Sequence, residues 1–134
     1  MSAVLSRSMM LLALAATGAQ AQAEAIDGKA LFAKNCAACH QATGAGIPGA
    51  FPALKGNTFA QGDPAIVIAT VLKGRAGMPA FAASLDDDKL AAVITYVRSA
   101  WGNQAGAVSG PDVATIRNAA SAAPVTQEKG TIIH

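Results

Sequence analysis

A chain of 134 residues carrying 10 Lys/Arg against 8 Asp/Glu is one domain's worth of polypeptide, with no charge excess of the kind that gathers nucleic acid. Hydrophobic residues make up 52% of it but aromatic ones only 4%, so alanine carries much of the apolar character and a core made of protein alone would be thin. Two Cys and two His fall short of a structural zinc site, because one of them, His134, is the last residue of a loose stretch.

Residues 1–23 form a targeting segment. Arg7 is its single charge, Met9 to Ala16 is its short apolar core, and Ala19-Gln20-Ala21 and Ala21-Gln22-Ala23 both have the small-x-small form of a cleavage site. Cleavage after Ala23 is favoured, with Ala21 the second choice. The apolar run is well under the ~18 residues needed to span a bilayer, so no stable membrane insertion is expected after cleavage. Export of a bacterial kind implies the periplasm, an oxidising compartment.

The first helix is predicted from Asp27, as N-cap, to Cys39. Gly28 and Phe32 lie one turn apart on it, and Gly28 is a point where another helix can approach the backbone. The helix ends in Cys36-Ala37-Ala38-Cys39-His40, a C-x-x-C-H motif. Residues three or four apart share a helix face, so two thiols reach the edge of one flat ligand while the imidazole addresses its centre. That is the attachment pattern of c-type haem: two thioethers and a proximal iron ligand. A redox dithiol would need βαβ patterning, which the flanks lack, and a disulfide three residues apart would be strained.

Residues 41–62 hold five glycines and two prolines without a hydrophobic period. So long a loop in a small domain makes sense if it packs on a ligand. Phe51 and Leu54 are candidates for a haem wall. The carbonyl of Pro52, with Pro48 as runner-up, is a candidate acceptor for the second ring nitrogen of His40, a bond that fixes the tautomer and raises the basicity of the ligand.

A second helix runs from its cap Asp63, through Pro64 at the first helical position, to Gly74. Then comes Gly74-Arg75-Ala76-Gly77-Met78-Pro79. Met78 is the only methionine beyond residue 23, so a thioether iron ligand, if there is one, has to be this residue. Arg75 is a candidate partner for a haem propionate, or simply a solvated cation. The last strong helix is predicted from Asp86 to Trp101. Leu85 and Leu90 form a hydrophobic staple, and Leu90, Val93, Ile94, Val97 and Trp101 form a stripe at helical spacing. Tyr96 stands beside that stripe, within reach of Gly28. A short helix is expected over Ser109–Arg117, and residues 118–134 read as a flexible tail.

These pieces together resemble a class I cytochrome c, the small periplasmic mono-haem type. The chain is similar to the cytochrome subunits and fused cytochrome domains of bacterial dehydrogenases. The resemblance runs from Ile26 to about Arg117 and rests on C-x-x-C-H at Cys36–His40, F-P-x-L-x-G at Phe51–Gly56, G-R-x-G-M-P at Gly74–Pro79 and Y-V-R-x-x-W-G-N at Tyr96–Asn103. It implies an all-α cytochrome c fold: three main helices and long loops wrapped around one covalent haem c, residues 24–117 being the domain. The N- and C-terminal helices would cross near Gly28, Phe32 and Tyr96, with the haem between His40 and Met78. The implied function is electron transfer from a dehydrogenase towards a terminal oxidase or other acceptor. The partners would be redox proteins, not nucleic acid. The alternative is a haem enzyme or ligand sensor, peroxidase-like, in which Met78 is displaceable.

Overall fold

The computed structural model describes residues 24–122, so the expected targeting segment and residues 123–134 lie outside the described part. Five α-helices appear in the order α1 (Gly28–Asn35), α2 (Ala37–His40), α3 (Pro64–Lys73), α4 (Asp87–Ser99) and α5 (Gly110–Ala122). Among the described residues there is no strand. Two isolated bridges, Ile47 with Phe51 and Arg75 with Met78, close loop turns.

The helices start where carboxylates or a hydroxyl can take up their free amides. Asp27 Oδ1 accepts from Ala30 N at 3.0 Å, Asp63 Oδ1 from Ala65 N at 2.8 Å and Asp86 Oδ1 from Lys89 N at 2.9 Å. At α5, Ser109 and Asp112 cap reciprocally: Asp112 Oδ2 accepts from Ser109 N at 2.8 Å, and Asp112 N donates to Ser109 Oγ at 3.3 Å. Leu85 and Leu90, the staple residues of α4, are both buried.

Three boundaries differ from the sequence reading, one being the end of α4, which stops at Ser99 short of Trp101, where the backbone turns left-handed (φ 55°). The first helix is not continuous to Cys39: it breaks at Cys36, whose φ of −122° is off the helix, and restarts as α2. Asn35 sits at the break, its side-chain Nδ2 donating to Leu31 O at 2.8 Å. Such local competition for backbone partners makes asparagine a poor helix-interior residue. At the other end, α5 does not stop at Arg117 but continues to Ala122.

The core lies between α1, α3, α4 and α5. Phe32, Ile68, Leu90 and Val113 are its fully buried side chains, with Val67, Leu72, Val93, Ile94 and Val108 around them. The crossing of α1 and α4 depends on Gly28. A Cβ there would fall inside the van der Waals envelope of the Ala92 carbonyl and 3.1 Å from Tyr96 Cβ. The same crossing brings Phe32, Tyr96 and Trp101 together, with ring centroids 5.1 to 5.5 Å apart in tilted and edge-on pairs. Gly28→Ala must therefore push two helices apart. Its unfolding midpoint is expected to fall by the equivalent of about 1–3 kcal/mol in a denaturant titration of the holoprotein. An unchanged midpoint would mean that the contact is soft.

Candidate functional site

The site begins at the break after α1. Cys36 caps both short helices: its carbonyl accepts from Cys39 N at 3.2 Å and from His40 N at 3.0 Å. One turn thus holds both thiols and the imidazole together. Both thiols are free, and both are half-buried. Burial, with the Cys39 thiol beside it, pushes the Cys36 thiol up to about 11, so Cys36 is a neutral thiol at physiological pH.

His40 is buried, and its Nδ1 lies 2.8 Å from the carbonyl oxygen of Pro52. A carbonyl only accepts, so Nδ1 carries the proton and Nε2 is left with its lone pair. Pro48, the other proline considered for this bond, lies elsewhere in the loop, with no such contact to His40.

Three elements hold the Pro52 carbonyl in place. Gly44 O accepts from Leu54 N at 2.8 Å and from Lys55 N at 2.9 Å, tying the loop across itself. At Gly46 (φ +65°) a Cβ would come within 2.6 Å of Pro52 O, so only glycine lets the two stretches approach. Beyond the end of α4, the buried Asn103 reaches back: Oδ1 accepts from Gly56 N at 2.8 Å, while Nδ2 donates to Leu54 O at 3.0 Å and Val97 O at 2.8 Å. Trp101 joins it, its indole Nε1 donating to Ala42 O at 3.0 Å. Leu54 and Phe81 pack half-buried against the core, and Cys36 does the same. Phe51, by contrast, stays exposed in its turn.

Met78 sits in a short turn after α3, half-buried, where Met78 N donates to Arg75 O at 2.9 Å and Arg75 N to Met78 O at 3.2 Å. The Arg75 guanidinium lies 5.3 Å from the Phe59 ring centroid, a cation–π contact.

Among the described residues, three other than glycine have left-handed backbone: Gln41 (φ 64°), Ala76 (φ 49°) and Trp101 (φ 55°). The first follows His40, the second precedes Met78 by two positions, and the third anchors Ala42. Strain of this kind persists where surrounding structure over-determines it, commonly at ligand clamps.

Two open cavities of about 360 Å³ lie on the surface, one along 45–53 and the other against 82–89 and Arg117. Neither is lined by His40 or Met78, so neither is an apolar hollow between those two side chains. The donor set nevertheless fits haem c in its chemistry: two free thiols a turn apart, an imidazole with a bare Nε2, and a thioether on a separate turn. Ile47, Phe59 and Ile66 add exposed apolar surface in the loop and at the start of α3.

Sequence reasoning read Arg98 only as a letter of the Y-V-R-x-x-W-G-N motif. It is buried, with Nε donating to Gly106 O at 2.8 Å and one terminal nitrogen to Ala60 O and Gly62 O, both at 2.9 Å. Its position one turn after Ile94, on the apolar stripe, was the available signal. Asn103 and Trp101 were legible as motif letters but not as fasteners of the loop.

The family model described as "Cytochrome C oxidase, cbb3-type, subunit III" matches residues 23–97. Cytochrome c-552 of Thermus thermophilus is 37% identical over 109 residues, covering 69% of this chain and 72% of its own. Cytochrome c6 of Leptolyngbya boryana is 39% identical over 77 residues, covering 56% of this chain and 91% of its own. The cytochrome c subunit of the quinone alcohol dehydrogenase of Gluconacetobacter polyoxogenes is 30% identical over 114 residues, 75% of this chain but 24% of that subunit. The chain thus spans about a quarter of the length of the dehydrogenase subunits it matches. With its all-helical fold and its C-x-x-C-H turn, the chain belongs to the class I cytochromes c, electron carriers that hold haem c covalently.

Proposed function

We propose that Cys36 and Cys39 carry the haem as thioethers, that His40 Nε2 and the Met78 sulfur are the iron ligands, and that the protein is a periplasmic mono-haem carrier. Bound haem c supplies a one-electron Fe(III)/Fe(II) couple. The single observation that carries the reading is the 2.8 Å bond from His40 Nδ1 to Pro52 O, which orients the ring and makes Nε2 the more basic ligand. A thioether sulfur as the second ligand would favour the reduced state and raise the potential. Pro52 and Leu54 serve as supports of the proximal side. Arg75, engaged with Phe59, steadies the Met78 turn rather than standing free for a propionate.

Residues 1–23 are proposed as a cleaved export signal, with the cytochrome domain following from residue 24. No helix among the described residues is long and apolar enough to cross a membrane. A dehydrogenase is the proposed donor and an oxidase the proposed acceptor. Relatives named as the cytochrome c subunit of an alcohol dehydrogenase and as a cbb3-type oxidase subunit CcoP from Azospirillum brasilense support that pairing.

Docking on such partners is expected to be apolar. Ala38, Ala42, Gly77, Pro79 and Ala80 flank the attachment turn and the Met78 turn, all exposed and uncharged. Lys55, Lys73 and Arg75 are the candidate cations for steering, and residues 24–134 carry nine basic against eight acidic groups. The test is the bimolecular rate of electron transfer with a quinone-dehydrogenase donor as ionic strength rises from low to moderate. A fall of less than about tenfold is expected, because steered and neutral association differ by far more than that. A steep fall would place the docking face on those three cations instead.

A further inference from the structure

The turn that carries Met78 has few fastenings of its own. Apart from the two backbone bonds between Arg75 and Met78 and the contact of Arg75 with Phe59, Arg75, Ala76, Gly77, Pro79 and Ala80 are all exposed. Ala76, at φ 49°, adds strain to it. The turn is secured at its two limbs. The outgoing limb is the end of α3, closed at Gly74. The return limb is Phe81–Leu85, where Phe81 N donates to Val71 O at 3.1 Å and Ala82 N to Leu72 O at 3.2 Å.

Both limbs meet α5. This helix packs on α3 and on α4, with Val113 fully buried in the shared core and Ile116 packed beside it. From its next turn, Arg117 spreads one guanidinium over three anchors. Nε donates to Asp87 Oδ1 at 2.7 Å, one terminal nitrogen donates to Ala82 O, and the other donates to Leu85 O at 2.8 Å. Asp87 opens α4, so the return limb is tied to the helix that crosses α1. A planar fork with donors on three nitrogens can span such a set, whereas the point charge of a lysine cannot. The ion pair itself is part-exposed, at 25% and 36% for the two side chains, so most of the hold comes from the two charge-assisted bonds to carbonyls. All of α5 lies beyond residue 97, where the family match ends.

We infer that α5 is a strap on the return limb of the Met78 turn, with Arg117 the positioning residue that holds that limb and so sets how readily another ligand displaces the Met78 sulfur. The inference rests on the proposal that Met78 ligates the iron. An added ligand reaches the iron only in the fraction of molecules whose turn has opened, and its apparent affinity scales with that fraction. Loosening the return limb raises the fraction without altering the iron's own chemistry.

The experiment is an imidazole titration of the ferric holoprotein, followed by the near-infrared thioether–iron band, for the wild type, Arg117→Gln, Arg117→Lys and Asp87→Asn. Arg117→Gln is expected to bind imidazole about tenfold more tightly, the equivalent of about 1.4 kcal/mol. Arg117→Lys should fall between it and the wild type, and Asp87→Asn should shift least. Denaturant unfolding is measured beside it. An Arg117→Gln protein with a lowered unfolding midpoint but unchanged imidazole affinity would overturn the strap and leave Arg117 a general stabiliser. If Arg117→Gln does not accumulate folded, Arg117→Lys and Asp87→Asn carry the same comparison, and equal affinities in all three proteins would overturn the strap. A wild type without the thioether–iron band would overturn the ligation by Met78 first, and the strap's role at the iron with it.

Discussion

Met78→Ala is expected to lose the near-infrared thioether–iron band, to gain CO binding in the ferrous state, and to lower the reduction potential by a few tenths of a volt. That drop sits well inside the ~0.8 V that axial ligands span. The size of the effect follows from the lack of any substitute: Met78 is the sole methionine beyond residue 23. Its backbone is paired with Arg75 in both directions, and a Cβ at Gly74 would come within 2.5 Å of its carbonyl, so the turn has little room to offer a neighbour in its place. Thioether stabilises ferrous iron, and water or hydroxide in its place stabilises ferric iron, which gives the direction of the shift. Ligation by Lys73 or Lys55 in its place would be seen as a different low-spin spectrum that also lacks the thioether band. Retention of the band in Met78→Ala would remove Met78 from the iron, whereas a wild type that lacks the band and binds CO would return the haem enzyme or ligand sensor to the front.

Replacing both thiols, Cys36→Ser with Cys39→Ser, is expected to cost the fold as well as the attachment. The protein's own core is small: of the aromatic residues only Phe32 is buried, and the other fully buried side chains are Ile68, Leu90 and Val113. A haem held covalently is present at unit stoichiometry whatever its intrinsic affinity, while one held only by His40 and Met78 leaves by mass action. Without it the helices rest on that small polypeptide core alone. Far-ultraviolet circular dichroism of the periplasmic fraction should show most of the helical signal lost and little protein accumulated. A double variant that stays fully helical and free of haem would show that the polypeptide core suffices.

Much of this protein is legible in its residues because the local signals agree with the packing. Asp63, Pro64 and Gly74 bound α3 where they are expected to, and Gly28 meets the backbone of α4 at Ala92 beside Tyr96. The pairing of His40 with Pro52 was readable because a ligating imidazole needs an acceptor and a loop proline offers a carbonyl without its own N–H competing. The break at Cys36 was not readable: no glycine or proline marks it, and the asparagine side chain that turns back on Leu31 beside it is a tertiary detail of the folded turn. The reach of α5 past Arg117 was hidden by the polar, alanine-rich face of residues 118–122, which shows no apolar period. Arg98, Asn103 and Arg117 act on carbonyls far away in the sequence, and such partners leave no trace in local spacing.

The central claim is that haem is bound to this chain through Cys36 and Cys39, and acid–acetone extraction of the wild-type protein tests it most directly. The protein should be matured in a periplasm that has the attachment machinery. The account predicts that the colour stays on the precipitated polypeptide and that a tryptic peptide spanning residues 35–55 carries the haem mass. Haem that passes into the acetone, leaving a colourless chain with two titratable thiols, would contradict it.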